Sequence, residues 1–196
     1  LMLRHCADGT RRTTTAIPRV TLLNSPTRTA PVPALYEPTF CVVIQGRKRL
    51  MVGGNELVYD SANTLLVSVG LPVTAEIIEA SPERPYLAIS LNLDRAMIAG
   101  MLLEVDPPEG EASAAIDISP VTSEVLDPMV RLARLLDCPE DIPMLAPLAE
   151  RELLYRLFRG PQGPLLRQIA LDDSRLSRIG RAIEWIRRHY HEPLRV

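Results

Sequence analysis

The side chains that could carry out chemistry in this chain are few and badly placed for it. There are three histidines, His5, His189 and His191, near the two ends of a 196-residue sequence. Glu56, Glu76 and Glu79 fall in a β-rich middle region without a histidine beside them. A metal that polarises a substrate or activates water needs neutral or anionic lone-pair donors held together, typically imidazoles with a carboxylate. Carboxylates alone on separated strands are a weak version of that set. Nucleophilic catalysis needs a base beside the nucleophile. Cys41 has no histidine in its region, and neither Ser68 nor Ser90 has a base nearby in sequence. A cysteine within an apolar strand reads as a small apolar filler. No phosphate-binding glycine loop is present. The three cysteines, Cys6, Cys41 and Cys138, are widely spaced and form no CxxC pair, so neither a zinc site nor a disulfide framework is indicated.

Without reaction machinery, the polar exceptions inside apolar strands read as the orienting groups of a binding cavity. They are Cys41, Gln45, Ser68, Tyr86 and Ser90, with Val43, Leu66 and Val67 as candidate apolar lining. The expected ligand-binding set is Cys41, Val43, Gln45, Leu66, Val67, Ser68 and Tyr86. The competing reading of each polar residue is an outward-facing or backbone-bonded side chain. The continuous apolar runs leave open which face of each strand points inward.

The elements that must position these residues follow from the pattern. Prolines 26, 31, 33 and 38 forbid a helix over 24–38 and favour an extended edge segment. Strands are expected at 40–45, 49–52, 56–59, 64–69, 74–80 and 86–93, with Gly53-Gly54-Asn55 as a hairpin turn. In the last of these, Leu87, Ile89, Leu91 and Leu93 share one face while Ala88, Ser90 and Asn92 share the other. Short strands between Gly and Pro turns predict a small antiparallel barrel or sandwich. A short helix is expected over 94–103.

After Ser119 the periodicity becomes helical, with Ser119 as cap and Pro120 in the first turn. Pro128 either kinks one helix or lies at the start of a helix capped by Asp127. A second helix begins near Pro143 or Pro147 and ends at Gly160-Pro161. The apolar surface of these helices exceeds what a narrow stripe needs, which leaves a choice between covering the barrel and meeting a partner. Residues 1–16 are expected as a loose arm and 161–173 as a linker. Residues 177–196 form a basic amphipathic helix with Ile179, Ile183, Ile186 and Tyr190 on one stripe, stopped at Pro193. It is expected to open a further domain that the chain does not include. From Arg175 onward six arginines face two acids, although the net charge of the whole chain is −2 and attracts no polyanion globally. With 46% apolar and 23% charged residues the composition is that of a globular protein, and no run approaches the roughly 20 apolar residues needed to span a bilayer.

The run Leu35-Tyr-Glu-Pro-Thr-Phe-Cys-Val-Val-Ile-Gln-Gly-Arg-Lys-Arg-Leu-Met-Val-Gly-Gly54 resembles the N-terminal, effector-sensing domain of AraC-type transcription regulators. So do Tyr59-Asp60, Leu71-Pro72-Val73, Ala80-Ser81 and Pro85-Tyr86-Leu87, in that order. The tail, with Trp185-Ile186 and His191-Glu-Pro-Leu194, is similar to the first helix of the DNA-binding domain of that family. The resemblance implies an α+β, mainly β fold: a cupin-like antiparallel β-barrel at 1–118, a helical dimerisation region at 119–160, and 161–196 as linker plus the first helix of a truncated helix-turn-helix domain. It further implies a non-enzymatic, cytoplasmic regulator without a cofactor or metal. A small-molecule effector would bind the barrel, and Met129, Leu132, Leu136, Leu153 and Leu157 would join a homodimer. DNA would be reached only through the missing C-terminal domain. The alternative is a catalytic cupin with a non-histidine metal site.

Overall fold

The computed structural model describes residues 1–6, 11–105 and 114–170, so the basic helix expected at 177–196 lies outside the described residues. The strands are β1 (Arg12–Thr14), β2 (Val20–Ser25), β3 (Val32–Tyr36), β4 (Thr39–Gln45), β5 (Arg47–Val52), β6 (Asn55–Asp60), β7 (Asn63–Val67), β8 (Leu71–Glu79), β9 (Tyr86–Asn92) and β10 (Ile116–Pro120). The helices are α1 (Arg95–Met101), α2 (Ser123–Leu135), α3 (Ile142–Arg159) and α4 (Gly163–Ala170). All pairings are antiparallel. One sheet has the order β1-β2-β9-β4-β7-β10 and the other β3-β8-β5-β6. The two face each other as an open cupin-like sandwich and are not hydrogen-bonded into a closed barrel.

The six-stranded sheet is covered on both faces, which is why its strands read as unbroken apolar runs. Cys41, Val43, Leu65, Val67, Tyr86 and Ala88 point toward the smaller sheet and pack with Leu50, Tyr59 and Val73. Phe40, Val42, Leu66, Ile89 and Leu91 point the other way, into a second core shared with α1, α2, α3 and α4. With no polar face, the sequence pattern has no alternation to reveal parity. β9 is the exception, because Ser90 and Asn92 mark its inner side.

Glycine is required where the chain passes from one sheet to the other. Gly46, between β4 and β5, has φ +82°, and a Cβ there would lie 2.5 Å from the Glu79 carbonyl oxygen. Gly53 and Gly54 form the two-residue β5–β6 turn at φ +54° and +88°, with open space around both. Gly46→Ala is therefore expected to cost at least the roughly 1–3 kcal/mol of a non-glycine left-handed residue, with the clash added. Gly53→Ala should cost less, and equal losses of the two in urea denaturation would mean that the clash contributes nothing.

Several sequence expectations change. The arm is not loose where it is described. Met2–His5 forms a 3-10 turn whose Met2 packs on the helical core, and β1 pairs with β2. Ser119-Pro120 ends β10 instead of starting a helix, and α2 begins after Thr122. Ser followed by Pro is also what a strand end before a turn looks like. Pro128 sits inside one continuous α2. The stretch 161–173 contains α4, whose Leu165, Leu166 and Ile169 are buried in the helical core. Polar contacts tether it to the sheet: Ser68 Oγ donates to Gln168 Oε1 at 2.8 Å, and Gln162 Nε2 donates to Asp117 Oδ2 at 2.9 Å.

Candidate ligand-binding site

Between the inner faces of the two sheets lies a cavity of about 430 Å³, lined mostly from β1, β2, β3, β8 and β9. Its floor is aromatic. Tyr59 from β6 and Tyr86 from β9 are fully buried, and Tyr36 from the end of β3 closes the group. Burial above all, and then the surrounding phenols and the Cys41 thiol, push Tyr59 well above the ordinary tyrosine range. Tyr86 is raised for the same leading reason, offset in part by the Tyr59 phenol. The Tyr86 hydroxyl is buried and makes no hydrogen bond of ordinary geometry.

Lys48 enters this group from β5. Its Nζ lies 5.3 Å from the Tyr36 ring centroid and 6.0 Å from that of Tyr86, within cation–π range. The wall is otherwise mixed, with Ser25, Thr29, Thr39, Ser90 and Asn92 among Leu23, Ala34, Ala75 and Ile77. Arg11 and Arg12 stand exposed at the mouth. A second cavity of about 290 Å³ lies on the opposite face of the six-stranded sheet, between the N-terminal turn and α2, and is almost wholly apolar.

The residues expected at the site scatter. Cys41 and Tyr86 line the cavity. Val43 and Val67 belong to the inter-sheet core but lie away from the cavity wall. Leu66 faces the helices, because β7 turns Leu65 and Val67 inward. Gln45 lies past a bulge in β4 and donates from Nε2 to the Pro85 carbonyl at 2.7 Å. Ser68 is tied to Ala115 and Gln168. Lys48, Tyr36 and Tyr59 were absent from the expected set. For Lys48 a signal existed: in Arg47-Lys48-Arg49, strand alternation sends the middle cation to the face opposite the other two.

Burial raises the Cys41 thiol to about 11, with nearby Lys48 pulling the other way, so it stays protonated at neutral pH. The carboxylates weighed for a metal are engaged elsewhere. Arg49 lies 3.1 Å from Glu56 and 3.3 Å from Glu76, and Arg47 lies 3.8 Å from Glu79. Among the described residues no three His, Cys, Asp or Glu side chains converge as a metal site. His5 bonds Asp137 at 2.8 Å, while His189 and His191 lie outside the described residues.

The helix residues expected at a subunit interface are interior to the chain. Met129, Leu132, Leu136, Leu153 and Leu157 are all buried in the helical core against the sheet. The apolar side chains that α3 exposes are Met144, Leu145, Leu148 and Tyr155. No helix among the described residues is long and apolar enough to cross a membrane.

No curated protein matches the chain. Among solved structures it is similar to ToxT from Vibrio cholerae O395 bound to (E)-4-(8-methylnaphthalen-1-yl)but-3-enoic acid, at 8% identity and a TM-score of 0.54, covering 85% of this chain and 66% of that one. It is likewise similar to unsaturated fatty acid bound wild-type ToxT from Vibrio cholerae strain SCE256, at 6% identity and a TM-score of 0.54, covering 87% of this chain and 68% of that one. The chain thus spans about two thirds of the length of these neighbours, and at such identities the likeness is one of fold. The family model for the AraC-type transcriptional regulator N-terminus matches residues 16–165, most of the sequence, and the chain belongs to that family.

Proposed function

We propose that this chain is the sensing and subunit-pairing portion of a transcription regulator. A small effector enters the cavity between the sheets, and its binding biases a DNA-binding domain that follows α4. The observation that carries this reading is the roughly 430 Å³ cavity itself, concave, part apolar and furnished with a few inward polar groups, as small-molecule sites are. Two of the ToxT structures have an organic acid bound, one the naphthalenyl butenoic acid and the other an unsaturated fatty acid, which supports a receptor reading of the shared fold. A bound effector changes DNA affinity only through a difference in its affinity for two arrangements of the chain, and a coupling of about 1–3 kcal/mol gives a 5–150-fold change. The tether of α4 to β7 and β10 through Gln168 and Gln162 offers a physical route from the sheet toward the C-terminal end. The exposed stripe of α3, Met144, Leu148 and Tyr155, is the surface on which two subunits would pair.

Native mass spectrometry of the purified chain tests the cavity. Wild-type protein, as purified or after incubation with a metabolite extract, is expected to retain a small molecule. Ala34→Trp, which fills the cavity from the edge strand β3, is expected to lose it without a fall in melting temperature. Retention unaffected by Ala34→Trp would place the ligand elsewhere and overturn the reading.

A further inference from the structure

We propose that the occupant of this cavity is a small organic anion, its charged end received by Lys48 and its flat body lying against Tyr36 and Tyr86. This rests on the reading of the cavity as an effector site and names the chemistry of what enters.

The first observation is the treatment of three successive cations on β5. Arg47 lies within salt-bridge distance of Asp60 and Glu79, and Arg49 of Glu56 and Glu76. Lys48, turned by strand alternation to the inner face, has no carboxylate within 4 Å among the described residues. It is half-buried and rests on two aromatic rings. Two ring faces hold an ammonium in place but do not neutralise it, so a half-buried cation without a carboxylate partner faces the cavity.

The second observation is independent of charge. The Tyr86 hydroxyl, on a fully buried residue lining the same cavity, has no hydrogen-bond partner of ordinary geometry, with the Tyr59 phenol lying nearby. Leaving such a group unmade is costly, and an oxygen-bearing ligand would satisfy it. A carboxylate placed by Lys48 would present such an oxygen.

The wall limits the alternatives. Of the two carboxylates lining the cavity, Glu76 is bound to Arg49 and Glu37 is exposed at the mouth, where Arg11 and Arg12 also stand. A cationic ligand would meet Lys48 already occupying the space beside the rings. A long unadorned acyl chain would leave the buried, unpartnered Asn24 Oδ1 and the Asn92 side chain against methylenes, whereas Ser25, Thr29 and Ser90 are already hydrogen-bonded within the protein. A compact aromatic acid with a further polar substituent meets the aromatic floor, the inward-facing Lys48 and the polar wall together.

Matched pairs of probes separate charge from shape: 4-hydroxybenzoate with 4-hydroxybenzamide, and 4-hydroxycinnamate with its amide, titrated into the purified chain and followed by ligand-observed NMR. The acids are expected to bind at least tenfold more tightly than the amides. Lys48→Met should remove that gap by weakening the acids alone, while Lys48→Arg retains most of it, with melting curves confirming that both variants fold. Amides binding as tightly as acids, or an acid preference unchanged in Lys48→Met, would overturn the anion assignment and leave the cavity's role as a receptor standing. Oleate binding more tightly than every aromatic acid would overturn the flat-body half of the proposal. Failure of all probes in wild-type protein that still retains a native ligand lost in Ala34→Trp would overturn the ligand class and not the receptor.

Discussion

Arg19→Met is expected to cost about 3 kcal/mol of stability, toward the lower end of what breaking a buried ion pair costs because the arginine itself is a third exposed. Arg19 sits at the β1–β2 turn in the left-handed region, φ +65°, and its guanidinium grips both Glu150 oxygens at 2.6 and 2.8 Å. A second arm reaches Asp94 at 3.3 Å, the residue whose carboxylate caps α1 through Ala96 and Met97. One side chain thus ties the turn beside the six-stranded sheet to the start of α1 and the middle of α3. Glu150 is 5% exposed, and burial outweighs Arg19 in setting its carboxyl, which is held above the ordinary glutamate range. Removing Arg19 takes away the main opposing influence, and the carboxyl rises further.

The sign of the pH effect follows. A carboxyl raised on folding binds its proton more tightly in the folded chain, so stability is lost as pH rises from the unfolded value through the folded one. In Arg19→Met that window widens upward. The variant should be closest to wild type near pH 5 and furthest from it near pH 8 in urea denaturation. Arg19→Met combined with Glu150→Gln should recover part of the loss at pH 8, because no buried charge remains. A deficit identical at both pH values, or no recovery in the double variant, would mean that the guanidinium acts by packing alone.

What the sequence discloses depends on whether a strand has a polar face. β9 alternates Ile89, Ser90, Leu91 and Asn92, and its two sides are legible before any coordinates. β4 and β7 carry Phe-Cys-Val-Val and Leu-Leu-Val, buried on both faces, so Leu65 and Leu66 are indistinguishable by pattern although they belong to different cores. The Gly53-Gly54 hairpin is visible because such a turn demands particular residues, whereas Asp94 reads only as the first residue of a short helix and the structure makes it the cap. β1 and β10 are short or polar and look like loop, whereas β2, Val20-Thr-Leu-Leu-Asn-Ser25, carries a readable apolar strand signal and is nonetheless absent from the expected strands. The cavity was the least legible part, since it is made by juxtaposing Tyr36, Lys48, Tyr59 and Tyr86 from four strands, and only tertiary packing brings those together.

The same distinction decides what substitutions on α3 should do. Leu153 is wholly buried between α3 and the sheet, whereas Leu148, five residues earlier on the same helix, is 63% exposed. Leu153→Ala is expected to cost about 2–5 kcal/mol, the transfer term plus the cavity left in the helical core, read as a lowered urea midpoint. Leu148→Lys combined with Met144→Lys should move stability of the single subunit by no more than roughly 0.5 kcal/mol, since both side chains leave little behind. If the exposed stripe pairs two subunits, this second pair of changes shifts the sedimentation coefficient of the purified chain to that of a monomer at concentrations where wild type is dimeric. Leu153→Ala should leave the coefficient of the folded fraction unchanged. Buried Leu153 and exposed Leu148 are the same residue type, so composition alone does not separate the side of α3 that packs on the sheet from the exposed stripe of Met144, Leu148 and Tyr155. Dissociation by Leu153→Ala with an unaltered urea midpoint would reverse that assignment and return the interface to the inward face of the helix.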